Sequence, residues 1–197
     1  FAVNLFAYGS LCIPQAVAAF LRRAVDMVPA HAPGWERGWF VCTDNAASGS
    51  YACDHCDGLP DSCRVLGIRP RPESSVLGAL ITLRHDEVPA IEERERSYRL
   101  REIGVCTASG AAVTALAAVP RDEYLCPGRS PAAIPAVYER AFHDAMRALM
   151  GDATADITPV APDVAPRRED LTYVRGDGVT RGRCTCAPAA GAPYLGV

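Results

Sequence analysis

The opening dozen residues place the tightest restriction on what this chain can become. Residues 1–7 form an apolar run rich in aromatic and β-branched side chains, the composition of a buried strand. The run stops at Tyr8-Gly9-Ser10-Leu11, and Pro14 then opens a helical pattern through Val17, Phe20, Leu21 and Ala24. The fold must therefore accept a buried strand that turns almost directly into a helix. A glycine at such a turn lets the backbone go where a Cβ would obstruct it. Two readings of the turn stand side by side: an ordinary β-to-α connection, or a loop whose N–H groups are aimed at an anion or a carbonyl oxygen.

The remaining pattern continues in short elements. Residues 27–31 and 35–42 read as strands divided by Pro33 and Gly34. Residues 64–69 and 75–83 read as strands divided by a turn at Pro70-Arg71-Pro72. Gly78, inside the last of these, signals a bulge or a close backbone approach. His85, Asp86 and Glu87 cap a helix running through Val88, Ile91 and Glu95. Strands follow at 98–105 and 111–119. Ser130 and Pro131 open the most strongly patterned helix, with Ile134, Val137, Tyr138, Ala141, Phe142, Ala145, Met146 and Leu149 on one apolar face and Gly151 as its stop. The expected organisation is one domain over residues 1–150, with a polar, Cys-rich loop or insertion at 43–63. A Pro- and Gly-rich C-terminal extension at 151–197, packed on that domain, carries a strand at 171–174.

At 197 residues and 49% apolar composition the chain can bury a substantial core. Its apolar stretches are interrupted by Arg, Asp, Pro or Gly well short of the roughly 18 residues of a membrane span, so no membrane association is expected. The net charge of −3 argues against a nucleic-acid surface. All 20 basic residues are Arg, which removes Schiff-base and lysine-base chemistry from consideration. No secretory leader pattern is visible, which makes the cytoplasm the expected compartment.

A second informative stretch lies at residues 90–100, where Ile91-Glu92 is followed by Glu95 and Tyr98. Together with Tyr8-Gly9-Ser10-Leu11 and the Gly-containing strand at 75–80, this pattern resembles the γ-glutamyl cyclotransferase-like superfamily. The resemblance covers roughly residues 3–105. It implies an α+β fold with a mixed, barrel-like sheet and flanking helices, and it puts Glu95 at the catalytic carboxylate. Two departures mark this chain: Arg96 stands where the family has a glycine after that carboxylate, and the Cys-rich insertion is not part of the common pattern.

The implied reaction suits those residues. In a γ-glutamyl amide the substrate's own α-amine can attack the γ-carbonyl, releasing 5-oxoproline and a free amine. The nucleophile is intramolecular, so the protein mainly holds the reactive conformer. A single glutamate, Glu95, can take a proton from the α-ammonium and return it to the leaving amine. Tyr8, Gly9, Ser10 and Leu11 would bind the glutamyl moiety through backbone N–H groups, with Tyr98 lining the pocket or packing beneath it. The resemblance implies a small-molecule γ-glutamyl substrate and no cofactor for the chemistry. Read locally, Glu95 is one of several acids in an Arg-rich run, the pattern of a solvated helix face. The alternative is thus a Cys-stabilised binding module that keeps the fold without turnover.

Nine cysteines form a second constellation, and an odd count leaves at least one thiol outside any complete disulfide set. Cys53 and Cys56 form a C-x-x-C pair, and Cys184 and Cys186 a C-x-C pair. Two such pairs can close a tetrahedral thiolate zinc site of structural type, with Cys63, Cys42 or His55 as substitutes for one ligand. Disulfides between the segments, or unpaired thiols, are the other readings. Cys12, Cys42, Cys106 and Cys126 read as small apolar side chains.

Overall fold

A computed structural model describes residues 2–126, 132–151, 167–175 and 177–186. Five strands close into a barrel in the order β1-β4-β2-β5-β6. They are β1 (Ala2–Ala7), β2 (Met27–Asp44), β4 (Ser62–Arg84), β5 (Tyr98–Thr107) and β6 (Ala112–Pro120). All pair antiparallel except β1 with β6, where Leu5 and Phe6 lie beside Leu116 and Ala117 and close the ring.

Alternation along β1 divides the core in two. Phe6 joins Ala30, Ile68, Val76, Ile103, Val105, Ala115 and Ala117, contributed by all five barrel strands. Leu5 and Ala7 face the other way, into the layer under the helices α1 (Pro14–Leu21), α3 (Val88–Arg94) and α4 (Ala136–Met150). A ring of five strands is narrow, and the alanines of the first cluster suit its small interior. Gly78 serves a close approach: an added Cβ would lie 2.2 Å from the Ala7 carbonyl oxygen and 2.8 Å from the Phe6 ring.

The separate strands expected at 27–31 and 35–42, and at 64–69 and 75–83, are two continuous ones. β2 and β4 form a long antiparallel ribbon that runs on from the barrel, with register breaks between Pro33 and Trp35 and between Gly38 and Val41. Opposite the first break, β4 bulges through residues 71–74, of which 71–73 are exposed, and the missing amide donor of Pro72 costs the ladder nothing. Proline here marks a bulge and not a strand end.

The Cys-rich insertion caps the tip of this ribbon and is partly regular. It holds the one-turn helix α2 (Asn45–Ser48) and strand β3 (Tyr51–Cys53). Buried Asn45 supplies its frame, donating to the carbonyls of Tyr51 and Pro60 and accepting the Tyr51 amide. Strand β9 (Leu171–Tyr173) pairs antiparallel with β3. The short strands β7 (Ile134–Pro135) and β8 (Arg167–Arg168) pair in parallel.

Three further boundaries differ from expectation. α1 ends at Leu21 with Arg22 in the left-handed region, so Ala24 is not helical. α4 begins at Ala136, and Ile134 belongs to β7; the expected opening at Ser130 and Pro131 lies outside the described residues. Glu95 is not inside α3 but directly beyond it, its amide still bonded to the Ile91 carbonyl. No helix among the described residues is long and apolar enough to cross a membrane.

Candidate active site

The site forms where the ribbon leaves the barrel. β1 ends at Ala7, and Tyr8-Gly9 leads into a 3-10 turn, Ser10–Cys12, whose first amides have no partner within the turn. Arg37 on β2, almost fully buried, fixes the loop from behind. It donates to the carbonyls of Tyr8 (3.0 Å) and Leu77 (2.7 Å), and its guanidinium lies 4.8 Å from the centre of the Phe142 ring. Gly9 passes under α4 so closely that a Cβ there would sit 3.1 Å from the Tyr138 hydroxyl.

Tyr8, Gly9, Ser10, Leu11, Glu95 and Tyr98 line one cavity of about 30 Å³, completed by Phe6, Ala7, Leu66, Ala118 and Tyr138. That is the room of about one water molecule. One wall, Tyr138, and one residue bonded to the walls, Arg94, are not evident from the sequence. Tyr138 was assigned only to an apolar helix face, yet its ring packs edge-on against Trp39 at 5.7 Å and brings its hydroxyl to the cavity. Arg94 was counted in a solvated charge run. Instead its guanidinium pairs with the Glu95 carboxylate, donates to the Ser10 hydroxyl (3.2 Å) and lies 5.6 Å from the centre of the Phe20 ring. Both members of the ion pair are largely buried, at 12% and 13% side-chain exposure, unlike the neighbouring Arg96–Glu93 pair at 76% and 74%. The sequence signal for Arg94 was its place directly before Glu95.

Three tyrosines, Tyr8, Tyr98 and Tyr138, line the cavity with Glu95. Tyr8 donates to the Ala118 carbonyl, and Tyr98 donates to the Leu66 carbonyl at 2.7 Å. Burial, followed by the nearby Glu95 charge, pushes the Tyr8 hydroxyl well above its ordinary value. Burial likewise raises Tyr138, with Glu95 next, and Tyr98, with Tyr8 and Glu95 next. All three stay neutral at neutral pH and keep their protons. Cys12, beneath the loop, is pushed up to about 12 by burial and is no nucleophile.

A larger, open groove of about 960 Å³ lies elsewhere, lined in part by Asn4, Arg23, Val28, Thr82 and Arg84. It contains none of the candidate site residues named from the sequence. Two of its cations are paired structurally: Arg23 and Arg84 both reach the buried Glu87 carboxylate.

No family model and no curated protein matches the sequence. Solved structures do match the fold. A γ-glutamyl cyclotransferase superposes with a TM-score of 0.54 at 15% identity, over 78% of this chain and 83% of the other. The yeast γ-glutamyl cyclotransferase specific to glutathione gives 0.54 at 13% identity, over 78% and 91%. An uncharacterized protein from Homo sapiens gives 0.55 at 13% identity, over 84% and 94%. The chain has the γ-glutamyl cyclotransferase fold. At these identities the likeness concerns the fold alone, and the chemistry has to be argued from the residues of this chain.

The cysteines sort differently from expectation. Cys42 and Cys126 are not simple apolar fillers: they form a disulfide across 84 residues, with their Cα atoms 5.0 Å apart. The Cys126 amide donates to the Phe40 carbonyl and holds the segment in place. Neither Cys42 nor buried Cys63 joins the other thiols, and exposed His55 turns to Asp170 at 3.7 Å. Cys53, Cys56, Cys184 and Cys186 do come together, in a group able to hold a metal ion.

Proposed function

We propose that the chain cleaves a γ-glutamyl amide, releasing 5-oxoproline and a free amine. One observation carries this reading: Glu95, the only carboxylate among the described residues that line the small cavity, shares it with the Tyr8–Leu11 loop and with Tyr98 and Tyr138. Glu95 takes a proton from the substrate's α-ammonium. The freed amine attacks the γ-carbonyl carbon, and the N–C bond closes a five-membered ring. Amides of the loop meet the negative charge on the carbonyl oxygen. The tetrahedral centre then collapses: the leaving nitrogen takes the proton from Glu95, its bond to carbon breaks, and the regenerated carboxylate accepts the second proton of the ring nitrogen and passes it to solvent. No water is consumed, and no redox partner is needed.

The cavity is too small for a glutamyl group while Arg94 spans Glu95 and Ser10. Substrate entry therefore displaces the Arg94 side chain, and the freed guanidinium pairs with the substrate's α-carboxylate. This exchange uncovers the base only when a carboxylate is there to take its place.

The same ion pair favours a second reading, a binding module on this fold that does not turn over, with Arg94 holding Glu95 occupied. Incubating a panel of γ-glutamyl amines with wild type and Glu95→Gln, and identifying products by mass spectrometry, separates the two. 5-Oxoproline formed by wild type alone establishes the cyclisation. Free glutamate would make water the nucleophile. Binding of panel members without product would leave the module.

A further inference from the structure

At the ribbon tip the chain makes a hairpin turn of the form Cys53-Asp54-His55-Cys56-Asp57-Gly58. The Asp57 amide bonds back to the Cys53 carbonyl, the Cys53 amide to the Gly58 carbonyl, and Asp57 takes a positive φ of 52°. The C-terminal segment lies directly on this turn. The Leu59 amide donates to the Gly182 carbonyl and the Cys184 amide to the Leu59 carbonyl, both at 2.8 Å. Gly58 permits the contact, since a Cβ there would lie 2.7 Å from the Cys184 Cα.

This arrangement converges four sulfurs. The Sγ atoms of Cys53, Cys56, Cys184 and Cys186 all lie within 4.8 Å of one another. Cys53 and Cys186 are 3.7 Å apart, Cys56 and Cys184 3.5 Å. A disulfide would bring a pair to about 2.05 Å. Four thiolates at about 2.3 Å from a central zinc form a tetrahedron with edges of roughly 3.8 Å. The two close separations lie near the tetrahedral edge and far from a bond. A cation also stands at the cluster: Arg168 donates to the Cys53 sulfur at 3.5 Å. Asp170, 3.7 Å from the Cys53 sulfur, is itself paired with Arg168. The Arg168 guanidinium offsets part of the negative charge that four thiolates leave on a divalent ion.

We propose that Cys53, Cys56, Cys184 and Cys186 bind one zinc ion that clamps the C-terminal segment onto the ribbon tip. Four protein ligands leave no open position, so the ion is structural and takes no part in the chemistry at Glu95. The clamp still bears on that site. Leu171 of β9 and Tyr51 of β3 share a buried cluster with Tyr138 and Phe142 of α4, so the tip supports the helix that roofs the cavity.

Metal analysis of the purified full chain tests the proposal, with about one zinc per chain expected. A Cys184→Ser/Cys186→Ser double variant should lose at least ten-fold of that zinc, while Cys106→Ser, on β5, keeps it. The wild-type chain supplies a measurement independent of how the variant folds. After chelation, added Co²⁺ should give the visible ligand-field bands of tetrahedral thiolate cobalt, and exposed Cys56 should resist alkylation only when metal is bound. Iron in place of zinc, recovery of the four sulfurs as disulfides, or full metal retention by the double variant would each overturn it.

Discussion

The two ends of the β2–β4 ribbon are held by different forces. At the barrel end, the pocket residues stand on a continuous apolar core, and the polar groups that enter it, Arg37 and the hydroxyls of Tyr8 and Tyr98, are tied to carbonyls. At the tip, few apolar side chains are buried, chiefly Tyr51, Ala52, Leu59 and Leu171. Much of the rest is ion pairing near solvent: Arg181 with Asp57, Arg183 with Asp61, Arg140 with Glu169. Exposed pairs of this kind contribute little, typically below about 1 kcal/mol each. A region with so little core needs a cross-link, and the sulfur cluster sits where one is needed. The cavity thus rests on packing and, with the proposed zinc site, the polar segment rests on cysteines.

The largest expected effect separates chemistry from folding. Glu95→Gln should lower turnover of an accepted γ-glutamyl amide by about 10³-fold. Its melting temperature should move by no more than about 3 °C; a larger loss would make Glu95 a structural residue. Next comes the barrel itself. Gly78→Ala drives a methyl group against the Ala7 carbonyl and the Phe6 ring and should cost about 3 kcal/mol in urea unfolding. Gly58→Ala makes a comparable clash with the Cys184 backbone, but its damage, about 2 kcal/mol, should stay local. Hydrogen exchange would speed up at the Leu59 and Cys184 amides and remain slow in β1 and β4. Uniform loss of protection would mean that tip and barrel unfold as one unit.

The smallest effect belongs to Glu87, which accepts both Arg23 (2.7 and 2.8 Å) and the Arg84 amide (2.8 Å). The hydrogen bond from Arg23 leads the interactions that lower its carboxyl from 4.5 to about 2. The unfolded chain therefore takes up the proton first as pH falls. The stabilisation is full above about 4.5 and is lost on the way down to about 2. Glu87→Gln should be about 1 kcal/mol less stable at pH 7, and the gap should close across that acid window. A gap independent of pH would mean that the ion pair is not its source.

Much of this was legible in the sequence, for local reasons. The strand into Tyr8-Gly9, the helix after Pro14 and the apolar face of α4 follow from short-range periodicity and backbone preference. The two cysteine pairs could be matched because each is compact along the chain. What escaped depends on distance or on context. Pro33, Pro70 and Pro72 read as strand ends because the partner strand that absorbs them in a bulge is invisible locally. The Cys42–Cys126 bond joins residues 84 apart with no spacing signal. Arg94 and Arg96 look alike in the sequence, yet the first points into the cavity wall and the second to solvent, a distinction made only when α3 docks beside the Tyr8–Leu11 loop.

The pairing of β3 with β9 also orders events during synthesis. The barrel closes through β1 and β6, so its last strand is complete once Pro120 has left the ribosome. The ribbon tip has to wait for Leu171–Tyr173, and its cysteines for Cys186. For some 65 further residues of translation, a nascent chain with a formed barrel displays Cys53 and Cys56 without their partners. A premature stop in that interval, before Tyr138, would release a product with every other residue of the Glu95 cavity, and with two unguarded thiols at its far end.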